Sequence, residues 1–171
     1  VNIDNVYAMA YRPDGGGYPA VMFIGLDDVS YNGEISAISV RSSFAGIDAN
    51  STAKTMALAV GVYGSLTANL NVSDSVFSAN GSNNRSISVS FPGVFRSARN
   101  TYIGADPGNY SGVILGVRFY SNDDTFDGAG TARYFYMSTA AAVKINRYVI
   151  SNMDDLSGYS GMYIPYSTDV Q

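Results

Sequence analysis

The sequence predicts an all-β fold: a single β-sandwich, of jelly-roll or immunoglobulin-like type, with about 8–10 strands. Three observations carry this reading. Apolar residues alternate strictly with polar ones in several stretches, as half-buried strands require. Good helix formers are scarce, since Glu34 is the only glutamate and Lys54 and Lys144 are the only lysines. Turn signals recur at the spacing of short strands.

Val1 to Tyr11 reads as a strand, ended by Arg12-Pro13-Asp14-Gly15-Gly16-Gly17. The three glycines act as a hinge, so residues 1–17 form a candidate donor strand that can swing away from the body. Ala20, Met22, Ile24 and Leu26 alternate in the next strand. Asn32-Gly33 is a hairpin turn into Ile35–Phe44. Met56, Leu58, Val60 and Val62, then Leu66, Ala68, Leu70 and Val72, alternate on either side of Gly64-Ser65. That pattern predicts a central β-hairpin with one apolar face. Ser51 offers a helix cap as a competing reading of the first arm, and the alternation favours the strand.

Ile87, Val89 and Phe91 alternate with Ser86, Ser88 and Ser90 until Pro92-Gly93. Val113, Leu115, Val117 and Phe119 form a strand that returns through a loop at Ser121–Gly130 into Ala132–Met137. Ala140, Ala141 and Ala142 favour a helical turn, and Val143–Ile150 and Gly161–Tyr166 complete the strands. No internal repeat and no linker interrupts residues 1–171, which read as one domain.

Composition narrows the function classes. The chain has 171 residues, no cysteine, no histidine and a net charge of −4. Serine–histidine and cysteine–histidine nucleophile systems are thereby excluded, as are thiolate metal sites and disulfides. An acidic chain lacks the basic footprint that nucleic acid requires. No apolar run reaches the roughly 18–20 residues of a membrane-spanning helix. Only 14% of residues are charged, which fits a surface-exposed structural protein outside the cell. The chain begins at Val1 without an initiator methionine and is read as a trimmed, mature form.

The paired aspartates Asp27-Asp28, Asp123-Asp124 and Asp154-Asp155 read as turn chemistry before glycosidase acids, so no enzyme is expected. Asn122, Asp123, Asp124 and Asp127 form the one oxygen-rich loop with which Ca²⁺ could be held, against the simpler reading of a solvated loop; no other cofactor is implied. Asn50, Asn71, Asn80, Asn84 and Asn109 each begin an Asn-x-Ser/Thr sequon, making them candidate glycosylation sites. Tyrosines concentrate toward the C-terminus and suit an interface.

These features together predict a subunit of an extracellular filament or pilus, with roles in adhesion or biofilm. Val1, Ile3, Val6, Ala8 and Ala10 would fill the groove of the next subunit by β-strand addition. Copies of the chain itself are then its partners, surface glycans being a further one. In its N-terminal strand, Gly15-Gly16-Gly17 and hairpin-like alternation, the chain resembles the TasA/camelysin-like and archaeal bundling-pilus β-sandwich fibre subunits. The resemblance implies donor-strand assembly at the cell surface. The competing expectation is a phage or viral module on the virion surface, a tail-fibre tip or capsid decoration protein that binds a host glycan.

Overall fold

A computed structural model of the chain describes residues 2–12, 20–27, 34–49, 55–63, 67–80, 84–104, 110–130, 132, 134–138, 142–154, 161–164 and 170–171. In chain order the first strands are β1 (Asn2–Asp4), β2 (Tyr7–Arg12), β3 (Ala20–Asp27), β4 (Glu34–Arg41) and β5 (Phe44–Ala49). Next come β6 (Thr55–Tyr63), β7 (Thr67–Ser73), β8 (Val76–Asn80), β9 (Asn84–Ala98) and β10 (Thr101–Gly104). The last are β11 (Tyr110–Asp127), β12 (Tyr134–Ser138), β13 (Ala142–Ser151) and β14 (Gly161–Tyr163). The all-β class read from the sequence holds, with no helix among the described residues.

Pairing within that class departs from the hairpins expected. Every ladder among the described residues is parallel, and the chain returns to the same column of strands again and again. The result is a coil with three faces, of the β-helix kind. One face stacks β1, β4, β7, the second half of β9, the middle of β11 and β13. A second stacks β2, β5, β8, β10 and the end of β11, continued by the end of β13. The third stacks β3, β6, the first half of β9, the first half of β11, β12 and β14.

Several expectations are corrected by this path. β6 and β7 are not the arms of one hairpin: β6 pairs with β3 and β9, and β7 with β4 and β9. The described residues form fourteen strands where eight to ten were expected. Pro92-Gly93 does not end a strand. β9 runs through it, with Gly93 at a φ of 144° where the chain passes from the third face to the first. Ser121–Gly130 is not a return loop, because β11 continues to Asp127. Of the predicted helical turn, Ala142 opens β13, and residues 139–141 lie outside the described residues. Alternation records which side of a strand is buried, not the direction of its neighbour, so both topologies satisfy it.

The core follows from register. In a parallel ladder, aligned residues point the same way, so each inward position becomes a stack along the coil. Ile38, Leu70, Phe95, Phe119 and Val143 align on the first face and are all fully buried. Val89, Ile114 and Met137 do the same on the third. On the second face Phe77, Tyr102 and Phe126 align, with successive ring centroids 5.6 Å apart and planes 14° apart. Phe135 leans in from the third face, 4.6 Å from Phe126. Gly104 lets the backbone of Ser111 approach closely beside this stack, since a Cβ there would collide with it.

Tyr102 sits at the centre of that aromatic column, wholly buried, with its hydroxyl 2.7 Å from Ser97 Oγ. Tyr102→Ala is expected to cost about 4 kcal/mol, the range for deleting a buried ring. Tyr102→Phe keeps the stack and is expected to cost only about 1 kcal/mol, for the hydroxyl bond. Urea denaturation of the two variants measures the difference.

Candidate functional site

The residues singled out around Asn122–Asp127 lie where the first face bends into the second. Each coil makes this bend with one residue at positive φ: Asn5, Ser42, Asp74, Arg99, Asp123 and Arg147, all between 48° and 58°. Left-handed backbone costs a non-glycine residue about 1 kcal/mol or more, so six in a column need a compensating interaction. In the four inner coils the next residue supplies it. Ser43, Ser75, Asn100 and Asp124 turn their side chains inward and are buried.

Each of these side chains accepts the backbone N–H of the corresponding residue one coil earlier. Val6 N–H donates to Ser43 Oγ at 3.2 Å, Ser43 N–H to Ser75 Oγ at 3.1 Å, and Ser75 N–H to Asn100 Oδ1 at 3.0 Å. Asn100 N–H donates to Asp124 Oδ1 at 2.8 Å. The amide of Asn100 also donates to Val72 O and to Ser97 Oγ, both at 2.9 Å. Ser121 donates to Asp124 Oδ2 at 2.5 Å. Buried polar groups are tolerable only when satisfied, and this chain of donors and acceptors satisfies them.

Outside the same corner, charges alternate. Arg99 grips Asp74 with two bonds of 2.6 and 2.7 Å, and Arg147 grips Asp123 with 2.6 and 2.8 Å. Arg41 pairs with Asp4 at 2.7 Å one position earlier in the coil. The guanidinium bonds hold the carboxyls of Asp4, Asp74 and Asp123 below the usual range. Asp124 goes the other way: burial raises it, and the hydrogen bonds from Ser121 and Asn100 only partly offset that.

The candidate calcium ligands are therefore adjacent in sequence but divided in space. Asp123 faces outward onto Arg147, Asp124 faces the interior, and Asn122 Oδ1 accepts from Asn146 at 2.8 Å. Asp127 is spent on the next bend, accepting from Ala129 N–H, Ser151 and Asn152 at 2.7, 3.0 and 2.7 Å. Among the described residues no group of three or more acidic side chains converges on one point.

The other predicted residues scatter. Ile3 packs against the core, Val6 is exposed and Ala8 half-buried, and all three belong to the chain's own first coil. The backbone of Ala10 lies in β2, and Val1 lies outside the described residues. Asn71 is half-buried on β7; Asn80 ends β8 and Asn84 opens β9; Asn50 and Asn109 lie outside the described residues. The sequon serines Ser86 and Ser111 are buried, with Ser86 Oγ donating to Ser111 O at 2.7 Å.

Ser75, Asn100 and Tyr102 were not singled out by sequence reasoning, yet a signal for them exists. Asp74-Ser75-Val76-Phe77, Arg99-Asn100-Thr101-Tyr102 and Asp123-Asp124-Thr125-Phe126 repeat one pattern: charge, small polar, Val or Thr, aromatic. The ladder bonds bridge separations of 37, 32, 25 and 24 residues, so only the later coils keep a near-constant period. No protein-family model, curated protein or solved structure matches the chain.

Asp124→Ala removes the acceptor of three donors and is expected to cost on the order of 3 kcal/mol. Asp124→Asn isolates the charge. A carboxyl raised in the fold stabilises it fully below the unfolded value of about 3.9 and loses that contribution as pH rises through the folded value. The stability of Asp124→Asn relative to the parent is therefore expected to improve between pH 4 and pH 7, measured by urea denaturation at both. The three lowered surface carboxyls act oppositely, losing their contribution as pH falls below about 4.

Proposed function

We propose that this chain is a non-catalytic structural subunit of an extracellular filament, joined to its neighbours by β-strand addition at the open ends of the coil. The observation that carries this reading is where its exposed large apolar residues lie. Among the described residues they are Val6 (38% exposed), Tyr7 (73%) and Met9 (59%) on the first coil, and Tyr148 (52%), Val149 (55%), Tyr163 (48%) and Val170 (53%) on the last. Among the described residues, no large apolar side chain of the coils between is comparably exposed.

A strand edge with an apolar rim templates another strand. At the last coil Gln171 already pairs with the start of β13, donating its N–H to Val143 O and accepting from Ile145 N–H, so the proposed contact is with the rest of that edge. Joining a first coil to a last coil is a head-to-tail contact that does not close, so it extends into a fibre. This keeps the donor role of residues 1–17 in altered form. β1 and β2 pair in parallel with β4 and β5 of their own chain, so the strands are offered as an edge and need not leave. The engagement of Asp4, Asp74, Asp123, Asp124 and Asp127 in structural bonds favours a non-catalytic role.

Negative-stain microscopy and light scattering over a concentration series test this. The parent chain is expected to form fibres, and a Tyr7→Lys/Met9→Lys double variant only single subunits. A parent chain that stays monomeric at every concentration, or a double variant that still forms fibres, overturns the proposal.

A further inference from the structure

We infer that the outer surface of the first face binds an acidic polysaccharide through its carboxylate or sulfate groups. Register places Asn71, Arg96, Tyr120 and Lys144 side by side on four neighbouring strands. Their inward neighbours Leu70, Phe95, Phe119 and Val143 are buried, so these four point outward. Arg118 precedes Tyr120 by two positions on β11 and shares that outward face. Arg96, Arg118 and Lys144 are exposed and surround Tyr120, which is half-buried. Arg96 and Lys144 flank β11 from either side, roughly 10 Å apart at two strand spacings.

Two features set these cations apart. Arg41, Arg99 and Arg147, at the corner of the same coils, are each matched by an aspartate. Arg96, Arg118 and Lys144 have no carboxylate partner among the described residues, on a chain whose net charge is −4. Arg96 is also held in place: its guanidinium lies over the Tyr120 ring, 5.8 Å from the centroid. Stacking of this kind orients the planar fork before any ligand arrives, so less side-chain freedom is lost on binding an oxyanion.

Charge complementarity selects an anionic partner, and the shape of the site selects a polysaccharide. The strands under the patch are internal to the sheet, so no edge is open there for a peptide to add as a strand. Three cations fall short of the 6–10 phosphate contacts typical of a tight duplex binder. Asn71 borders the cations with an amide suited to hydroxyls, and the parallel ladder fixes the spacing along an extended chain. This inference does not depend on how subunits assemble.

Calorimetric titration of the full chain with dextran sulfate, polygalacturonate, neutral dextran, polyglutamate and oligothymidylate tests it. Dextran sulfate or polygalacturonate is expected to bind, with affinity falling as salt rises, and neutral dextran not to bind. The triple variant Arg96→Ser/Arg118→Ser/Lys144→Ser is expected to bind at least ten-fold more weakly, and Arg41→Ser as the parent does. Thermal melts check that each variant is folded, and Lys144→Glu alone serves if the triple variant is not. Tyr120→Ala is expected to weaken binding several-fold through loss of Arg96 orientation. Binding to neither acidic polysaccharide, undiminished binding by the folded charge variant, or tighter binding to oligothymidylate or polyglutamate overturns the inference.

Discussion

Everything in this fold depends on one bend being made repeatedly in register. At that bend a residue takes a left-handed backbone conformation, and its successor sends a polar side chain inward to receive an N–H from the coil before. The two features support each other. Turning the backbone would orphan a buried donor, and the side-chain acceptor satisfies it. Once the bend is fixed in each coil, the residues on either side are fixed in their columns, and the aromatic stack of Phe77, Tyr102 and Phe126 follows three positions after the bend.

The bend also separates the two kinds of charge in the chain. Its outer residue carries bidentate ion pairs at the surface, where solvent screens them and such pairs add little stability. They suit registering one coil on the next more than supplying stability. The inner residue, by contrast, sits where water is excluded. Asp124 is the one carboxylate in this ladder, and burial works against its charge while Ser121 and Asn100 stabilise it. An aspartate there keeps the ladder supplied with acceptors at the position where it receives most donors.

A coil differs from a closed sandwich in having two ends, and surface chemistry divides accordingly. Apolar residues are exposed at the ends and polar ones along the faces. Growth along the axis and recognition on a face can then proceed without competing for the same surface. That division underlies the proposals of end-to-end stacking and of an acidic-polysaccharide site flanking Tyr120.

By itself the sequence determined that this protein is built of strands. Alternation at Leu70–Val72 and Ile87–Val89–Phe91 marks half-buried strands whatever their partners, and the shortage of Glu and Lys disfavours helices. Its charged, polar, β-branched, aromatic pattern at Asp74, Arg99 and Asp123 also carried the coil period, but only across three coils of nearly equal length. The earlier, longer turns hide it. Only the tertiary structure decided which strands meet, since period-2 alternation is identical for parallel and antiparallel neighbours. It also decided the fate of Asn122-Asp123-Asp124. Three adjacent oxygen-bearing residues read as one loop, yet a single left-handed residue at Asp123 sends its own carboxylate into solvent and that of Asp124 into the core. Neighbours in sequence become strangers in space when the backbone reverses its handedness between them.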